Sequence, residues 1–394
     1  MVVSRGQERS KSEARPEWRN CDISDLCQLQ RGFDLTEATR TPGSVPVYSS
    51  SGLAYFHNQA KLLPPAVITG RKGLLGKVYF VDEPCWPHDT TLWVKDFKGN
   101  HPRFVQIFLN EFGLQRFDAA TSVPTLNRNN VFGVPICLPP PSEQRIITEV
   151  LSDVDALLAG LDRLIAKKRN LKQAAMQQLL TGQTRLPGFQ GEWEVKRLGE
   201  HVSFLKNGVH SRAELTTNGP IKNLHYGDIH ACGSVTLDPS SMPSLSSDRA
   251  RALGRLMDGD LVFVDASEDL DGVGKSVEIV GAAGVQFVAG LHTIAARFDP
   301  VVLAHGFKAY LQFCPPFRLH LRRLAAGTKV YATSRGHIAS AEIPLPNVQE
   351  QTAIAGVLSD MDAELTPLEA RRNKTRALKQ AMMQELLTGR TRLV

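Results

Sequence analysis

Apolar residues recur at alternating three- and four-residue steps in two stretches of this chain. In the first they are Ile147, Val150, Val154, Leu157, Leu161, Leu164, Leu171 and Ala175; in the second, Ile354, Val357, Met361, Leu368, Leu378 and Met382. That spacing keeps one face of a helix apolar and predicts a heptad-type seam in each stretch, interrupted in the first by Lys168. Met176 and Leu179 extend the first set, and Met383 and Leu386 the second. Leu151, Leu158 and Ile165 widen the first stripe, and Leu358 and Leu365 the second. A stripe this wide exceeds what two packed helices need, which predicts a further partner surface.

Before each helical stretch the pattern changes to short apolar runs broken by turn residues. PVYSSSGLAYF (46–56), AVITG (66–70), GKVYFV (76–81) and TTLWV (90–94) precede the first; GDLVFV (259–264), SVEIV (276–280) and VQFVAG (285–290) precede the second. Such runs read as strands. Each segment also has a late helical stretch, at 101–117 and 302–325. The expected fold class is therefore α+β, with two mixed α/β globules alternating with two long helical regions.

The helical regions are copies of each other. LKQAAMQQLLTGQTRL at 171–186 returns as LKQAMMQELLTGRTRL at 378–393, and an offset of 207 holds without a gap from Thr121 against Thr328 to Leu186 against Leu393. From Glu143 to Leu186, 26 of 44 aligned pairs are identical. Identity at that level marks a duplicated unit. Gly182 and Gly389 follow Leu-Leu-Thr and read as C-terminal caps. Thr366-Pro367-Leu368-Glu369 reads as a fresh helix start, and Gly160 stands where Pro367 stands in the second copy. Each copy is thus expected to be a shorter helix, a break, then a helix of about 20 residues, roughly 30 Å long. Two copies of one unit make a pseudo-two-fold internal repeat.

The globules differ in detail but share a frame. Trp18 and Trp193 stand near the two starts, Gly32 and Gly208 follow at similar distances, and GLLGKVYF (73–80) resembles GVGKSVEI (272–279). The expected divisions are 1–16, polar and disordered; 17–137, first globule; 138–191, first helical region; 192–343, second globule; and 344–394, second helical region.

Composition narrows the class. Net charge is +6 with a pI near 9.0, which permits a nucleic-acid partner without requiring one. The six cysteines form no C-x-x-C pair, which argues against a zinc site or disulfide framework and for a reduced, cytoplasmic setting. No apolar run approaches the roughly 20 residues of a membrane helix, and the N-terminus lacks the apolar core of a signal peptide. Neither membrane nor metal is expected.

Trp18…Gly32, PVYSSSG, the GRKGLLGKVYF run, the I-x-L-P…EQ boundary at 136–144 and 343–351, and LKQA-x-MQ-x-LLTG-x-TRL in both helical regions carry a resemblance. From Trp18 onward the chain resembles the DNA-specificity subunit of a type I restriction–modification system. The resemblance implies two target-recognition domains, each binding one half of a bipartite double-stranded DNA target. It implies two conserved helical regions packed as an antiparallel coiled coil. It also implies methyltransferase (modification) subunits, two of them, docked on the helices, with restriction subunits joining. The chain itself has no catalysis in this reading; S-adenosylmethionine belongs to the partner methyltransferase.

Loops bearing basic, amide and hydroxyl groups are the candidates for DNA contact. In the first globule these are Tyr48, Ser49, Ser50, Arg71, Lys72, Lys77, Asn127 and Arg128; in the second, Lys206, Asn207, Arg212, Asn223, His225, Lys275, Lys329, Tyr331 and Arg335. Arg suits guanine and Asn adenine by bidentate contact, while Lys meets phosphate more often. Each of them also has the bland reading of a solvated surface residue. Two catalytic patterns fail on chemistry. Cys314-Pro315-Pro316-Phe317 puts a weak thiol acceptor where an amino-methyltransferase needs an Asp or Asn oxygen. DLDGVGKS (269–276) has Asp269 where a phosphate loop needs glycine. The other reading left standing is a paired-helix interaction scaffold with incidental DNA binding.

Overall fold

The structure, a computed structural model, describes residues 17–393 except 119–121, 271, 326, 328 and 329. The segment read as disordered, 1–16, lies outside the described residues, as does the candidate Lys329. The chain divides into two compact units: Met1–Asp162 with Ala370–Val394, and Arg163–Glu369. Each unit therefore joins one globule to part of both long helices.

In the first unit a four-stranded sheet has the order Gln28–Arg31, Thr91–Asp96, Ala66–Gly70, Val78–Val81, all antiparallel. A three-stranded sheet has Val45–Ser49 at its centre, antiparallel to Gly52–His57 and parallel to Trp86–Pro87. Ala66–Gly70 is buried along its whole length, which is why Ala66, Val67 and Ile68 run on without alternation; its one polar side chain, Thr69, donates to the Lys77 carbonyl at 3.0 Å. The helix Pro102–Phe112 starts at a proline, where the missing N–H costs nothing, and ends at Gly113 with φ +73°.

The second unit repeats this plan strand for strand. Val202–Phe204, Thr293–Phe298, Leu261–Val264 and Ser276–Ile279 take the four places in the same antiparallel order, with Thr236–Leu237 added at the edge. Ile221–Leu224 is the centre of the second three-stranded sheet, antiparallel to Ser244–Leu245 and parallel to Phe287–Ala289. A two-stranded ribbon closes each globule: Arg19–Asp22 with Pro135–Leu138, and Glu194–Arg197 with Glu342–Leu345. The shared frame predicted from Trp18 and Trp193 is thus a shared topology.

The long helices correct one expectation. Pro141–Leu179 and Val348–Leu386 are each a single helix of 39 residues, about 58 Å long, with no break at Gly160 or Pro367. Thr366 does not cap a new helix; its hydroxyl donates back to the Asp362 carbonyl at 2.9 Å. Glycine and proline inside a helix cost about 1 and 3 kcal/mol. The buried Leu161 beside the first and Leu365 beside the second offset this, each contributing roughly 1.5–3 kcal/mol.

The seam also lies to one side of the stripe first assigned. Leu151, Ile165, Leu358 and Leu365 are buried along with Ile147, Leu161, Leu179, Ile354 and Leu386. Val150, Val154, Met176, Val357, Met361, Leu368 and Met383 are half-buried. Leu157, Leu164, Leu171 and Leu378 are 42%, 40%, 51% and 56% exposed, so they stand outside the seam.

Within each unit the helix segments run antiparallel, and duplicated residues make duplicated ion pairs. Lys379 pairs with Asp155 and Arg376 with Asp162 in the first unit; Lys172 pairs with Asp362 and Arg169 with Glu369 in the second. At the helix starts, Arg392 grips the fully buried Glu143 through Nε and Nη2, both bonds 2.8 Å, and Arg185 grips Glu350 at 2.5 and 2.6 Å. Beyond the helix ends, Gly182 and Gly389 both adopt φ +71°. A Cβ on Gly389 would lie 3.0 Å from the Trp18 ring, and one on Gly182 3.3 Å from Trp193. Both glycines are thus fixed twice, by backbone conformation and by an indole.

Candidate nucleic-acid interface

In the first unit, hydrogen bonds tie four loops together. Ser50 N–H donates to the Thr90 hydroxyl (3.4 Å) and the Tyr79 hydroxyl to the Ser50 carbonyl (3.4 Å). Arg71 N–H donates to the Thr90 carbonyl (2.8 Å), Gly73 N–H to Pro124 (2.9 Å), and Leu126 N–H to Arg71 (2.8 Å). Tyr48, Ser49, Ser50, Arg71, Lys72 and Lys77 are brought together on this rim. Arg71 is half-buried, its Nε donating to the Asp89 carbonyl at 2.9 Å, so the guanidinium is held in place. Lys72 and Lys77 are exposed. Burial pushes the Tyr48 and Tyr79 hydroxyls up in pKa, so both stay protonated donors at neutral pH.

Asn127 and Arg128 have local partners instead. Asn127 accepts from Asn129 N–H at the start of the short turn Arg128–Asn130, and Arg128 Nη1 donates to the Leu29 carbonyl at 3.3 Å. Tyr79, Thr90, His88 and Asp89 belong to the rim and were missed. Their strands were legible, but which strand ends share a rim depends on sheet order.

In the second unit Lys206, Asn207 and Arg335 gather. Arg335 Nη2 donates to the Leu205 carbonyl (2.8 Å) and to Asn207 Oδ1 (3.1 Å), with the guanidinium 5.9 Å from the Phe204 ring. Arg212 pairs with Asp228. Lys275 Nζ donates to the His230 carbonyl at 2.8 Å. Tyr331 pairs with Ser267 in a two-residue antiparallel bridge.

Two candidates are corrections. Asn223 is fully buried in the central strand of its sheet, with neither amide atom hydrogen-bonded, and offers a duplex nothing. His225 is buried and caps the helix Tyr226–Ala231, its Nδ1 accepting from Gly227 N–H at 3.2 Å. Burial pushes its pKa down, aided by Arg212, so the ring is neutral as a cap requires. An amide or imidazole looks the same in sequence whether it faces solvent or closes a turn.

Neither rejected catalytic pattern returns. Cys314 precedes the helix Pro315–Leu324, and burial pushes its thiol up to about 12. Ser276, where a phosphate loop would present its hydroxyl, is buried in a strand. Among the described residues no group of three or more His, Cys, Asp or Glu could hold a metal ion, and no helix is long and apolar enough to cross a membrane.

Two globules of one topology, each with a polar, partly basic loop rim, are each joined to paired helices, the arrangement that the resemblance to a DNA-specificity subunit implies. Residues 16–167 match the family described as Type I restriction modification DNA specificity domain. The chain is 25% identical over 310 residues to the type I restriction enzyme MjaVIII specificity subunit of Methanocaldococcus jannaschii, spanning 74% of this chain and 70% of that protein. The type I restriction–modification S subunit from M. genitalium shares its fold, with TM-score 0.63, 14% identity and coverage of 96% of this chain and 98% of the other. A chain solved in work on complex assembly and conformational transition of the type I R-M system gives TM-score 0.56 at 16% identity, covering 95% and 98%. The chain is thus similar to type I restriction–modification specificity subunits over 74% of its length in sequence and 96% in fold.

Proposed function

We propose that this chain is the sequence-reading subunit of a type I restriction–modification complex, and that it reads a split duplex target with one half-site per globule. The observation that supports this best is the duplication itself: one topology occurs twice, the helix contacts are repeated pair for pair, and the loops on the rims have diverged. A duplicated scaffold with diverged loops suits two sequences read by one protein, with the helices setting the gap. Exposed leucines are offered to methyltransferase subunits, two of them in this reading: Leu157 and Leu378 in the first unit, Leu164 and Leu171 in the second. Those subunits bring S-adenosylmethionine and the chemistry, and restriction subunits join through them; this chain contributes binding.

Arg71→Ala and Arg335→Ala test the division of labour. Each is expected to cost about 1–3 kcal/mol of binding at one half-site and nothing at the other, measured on duplexes altered in one half-site at a time. Equal loss at both half-sites for either variant contradicts two independent readers. A paired-helix scaffold with incidental DNA binding predicts methyltransferase capture without preference among duplexes.

A further inference from the structure

The two units share a hairpin whose loop carries opposite charge. In the first it joins Ala66–Gly70 to Val78–Val81; in the second, Leu261–Val264 to Ser276–Ile279. These strands hold matching places in their sheets. The first loop, 71–77, reads RKGLLGK, with three basic residues and no acid. The second, 265–275, reads DASEDLDGVGK, with four acids and one lysine, and that lysine is directed to the His230 carbonyl.

The acidic loop borders a cavity of about 430 Å³ lined by Glu268 and Asp269 and, across it, by Tyr226, His230 and His292. The Tyr226 ring meets His292 and His230 edge-on, at centroid separations of 5.4 and 6.1 Å. Asp269 is held in position, its Oδ1 accepting from Gly272 N–H at 2.5 Å and its own N–H donating to Ser267 Oγ at 3.3 Å. The Ser267–Tyr331 bridge places the loop beside the segment that carries Arg335.

A carboxylate facing a duplex is repelled by phosphate. Its favourable partners in the major groove are exocyclic amines, cytosine N4 or adenine N6. We propose that Glu268 and Asp269 select an amine-bearing base, cytosine or adenine, in the second unit's half-site, whereas the matching loop of the first unit meets acceptors through Arg71 and Lys72. Tyr226 and the two histidines form the aromatic wall against which that base edge is held. This rests on the split-target reading above.

The test uses the chain assembled with its methyltransferase and a pool of random duplexes, with the retained DNA sequenced. The variant is Glu268→Gln with Asp269→Asn; both sites are exposed, and the amide oxygen can still accept from Gly272. Wild type is expected to fix one base pair in the second globule's half-site, with its amine-bearing base always on the same strand. The variant is expected to lose about tenfold of that preference, since an amide also tolerates the acceptors of G and T, with the other half-site unchanged. Unchanged preference overturns the inference. So does a uniform rise in affinity for every duplex, which means the acids only repel phosphate, and so does equal loss at both half-sites. A wild-type pool with no split motif overturns the proposed function itself, and the inference with it.

Discussion

Glu143 and Glu350 show how a duplicated residue keeps its surroundings. Each is buried at the start of a long helix and each is gripped by an arginine from the duplicated TRL segment. For Glu143, burial pushes the pKa up, but bonds from Arg392, the Trp18 indole and Leu393 N–H outweigh it, and the net shift is down from 4.5. A depressed carboxyl contributes stability above its unfolded value, and that contribution is lost as pH falls through the folded one. Glu143→Gln is therefore expected to melt earlier than wild type at neutral pH and to lose less on acidification below about 4.5. Thermal melts across pH 3–7 check this; parallel curves for the two proteins contradict it. The residue scale is also where sequence reading was weakest. Asn223 and His225 have the right chemistry for base contact, and only the structure shows that Asn223 is buried out of reach and that His225 closes a helix cap.

At the scale of elements, the helical stripe was legible because its period is local. Which side of it forms the seam was not, since Leu157 and Leu158 both fit a wide apolar face and only the partner helix distinguishes them. Nor could local rules carry the second helix through Pro367, because the tertiary contacts that outweigh a proline are remote in sequence. The seam makes a paired prediction. Leu151→Ala removes a buried side chain and is expected to cost about 2–5 kcal/mol in chemical denaturation. Leu157→Ala is expected to leave the chain's stability within about 0.5 kcal/mol while weakening its association with methyltransferase. A large stability loss at Leu157, or unchanged association, contradicts the assignment of that exposed row to a partner.

At the scale of the whole molecule, the repeat was the most informative feature of the sequence. It specified two copies of one scaffold, and the two sheets of each globule follow one order. The loop rims were only half legible: the basic and hydroxyl residues of 46–50 and 71–77 could be named, whereas their convergence needed strand order. In the sequence, 272–279 resembles 73–80, but the opposite charge of the two loops gains a meaning only because their strands hold matching places in the sheets. Two readers on one scaffold imply a bipartite target with an unread gap. Sequencing the duplexes retained by the chain assembled with its methyltransferase, from a fully random pool, measures this directly. The account predicts two short blocks of fixed bases separated by a constant number of unconstrained positions. A single continuous block, or retention without any fixed bases, contradicts it.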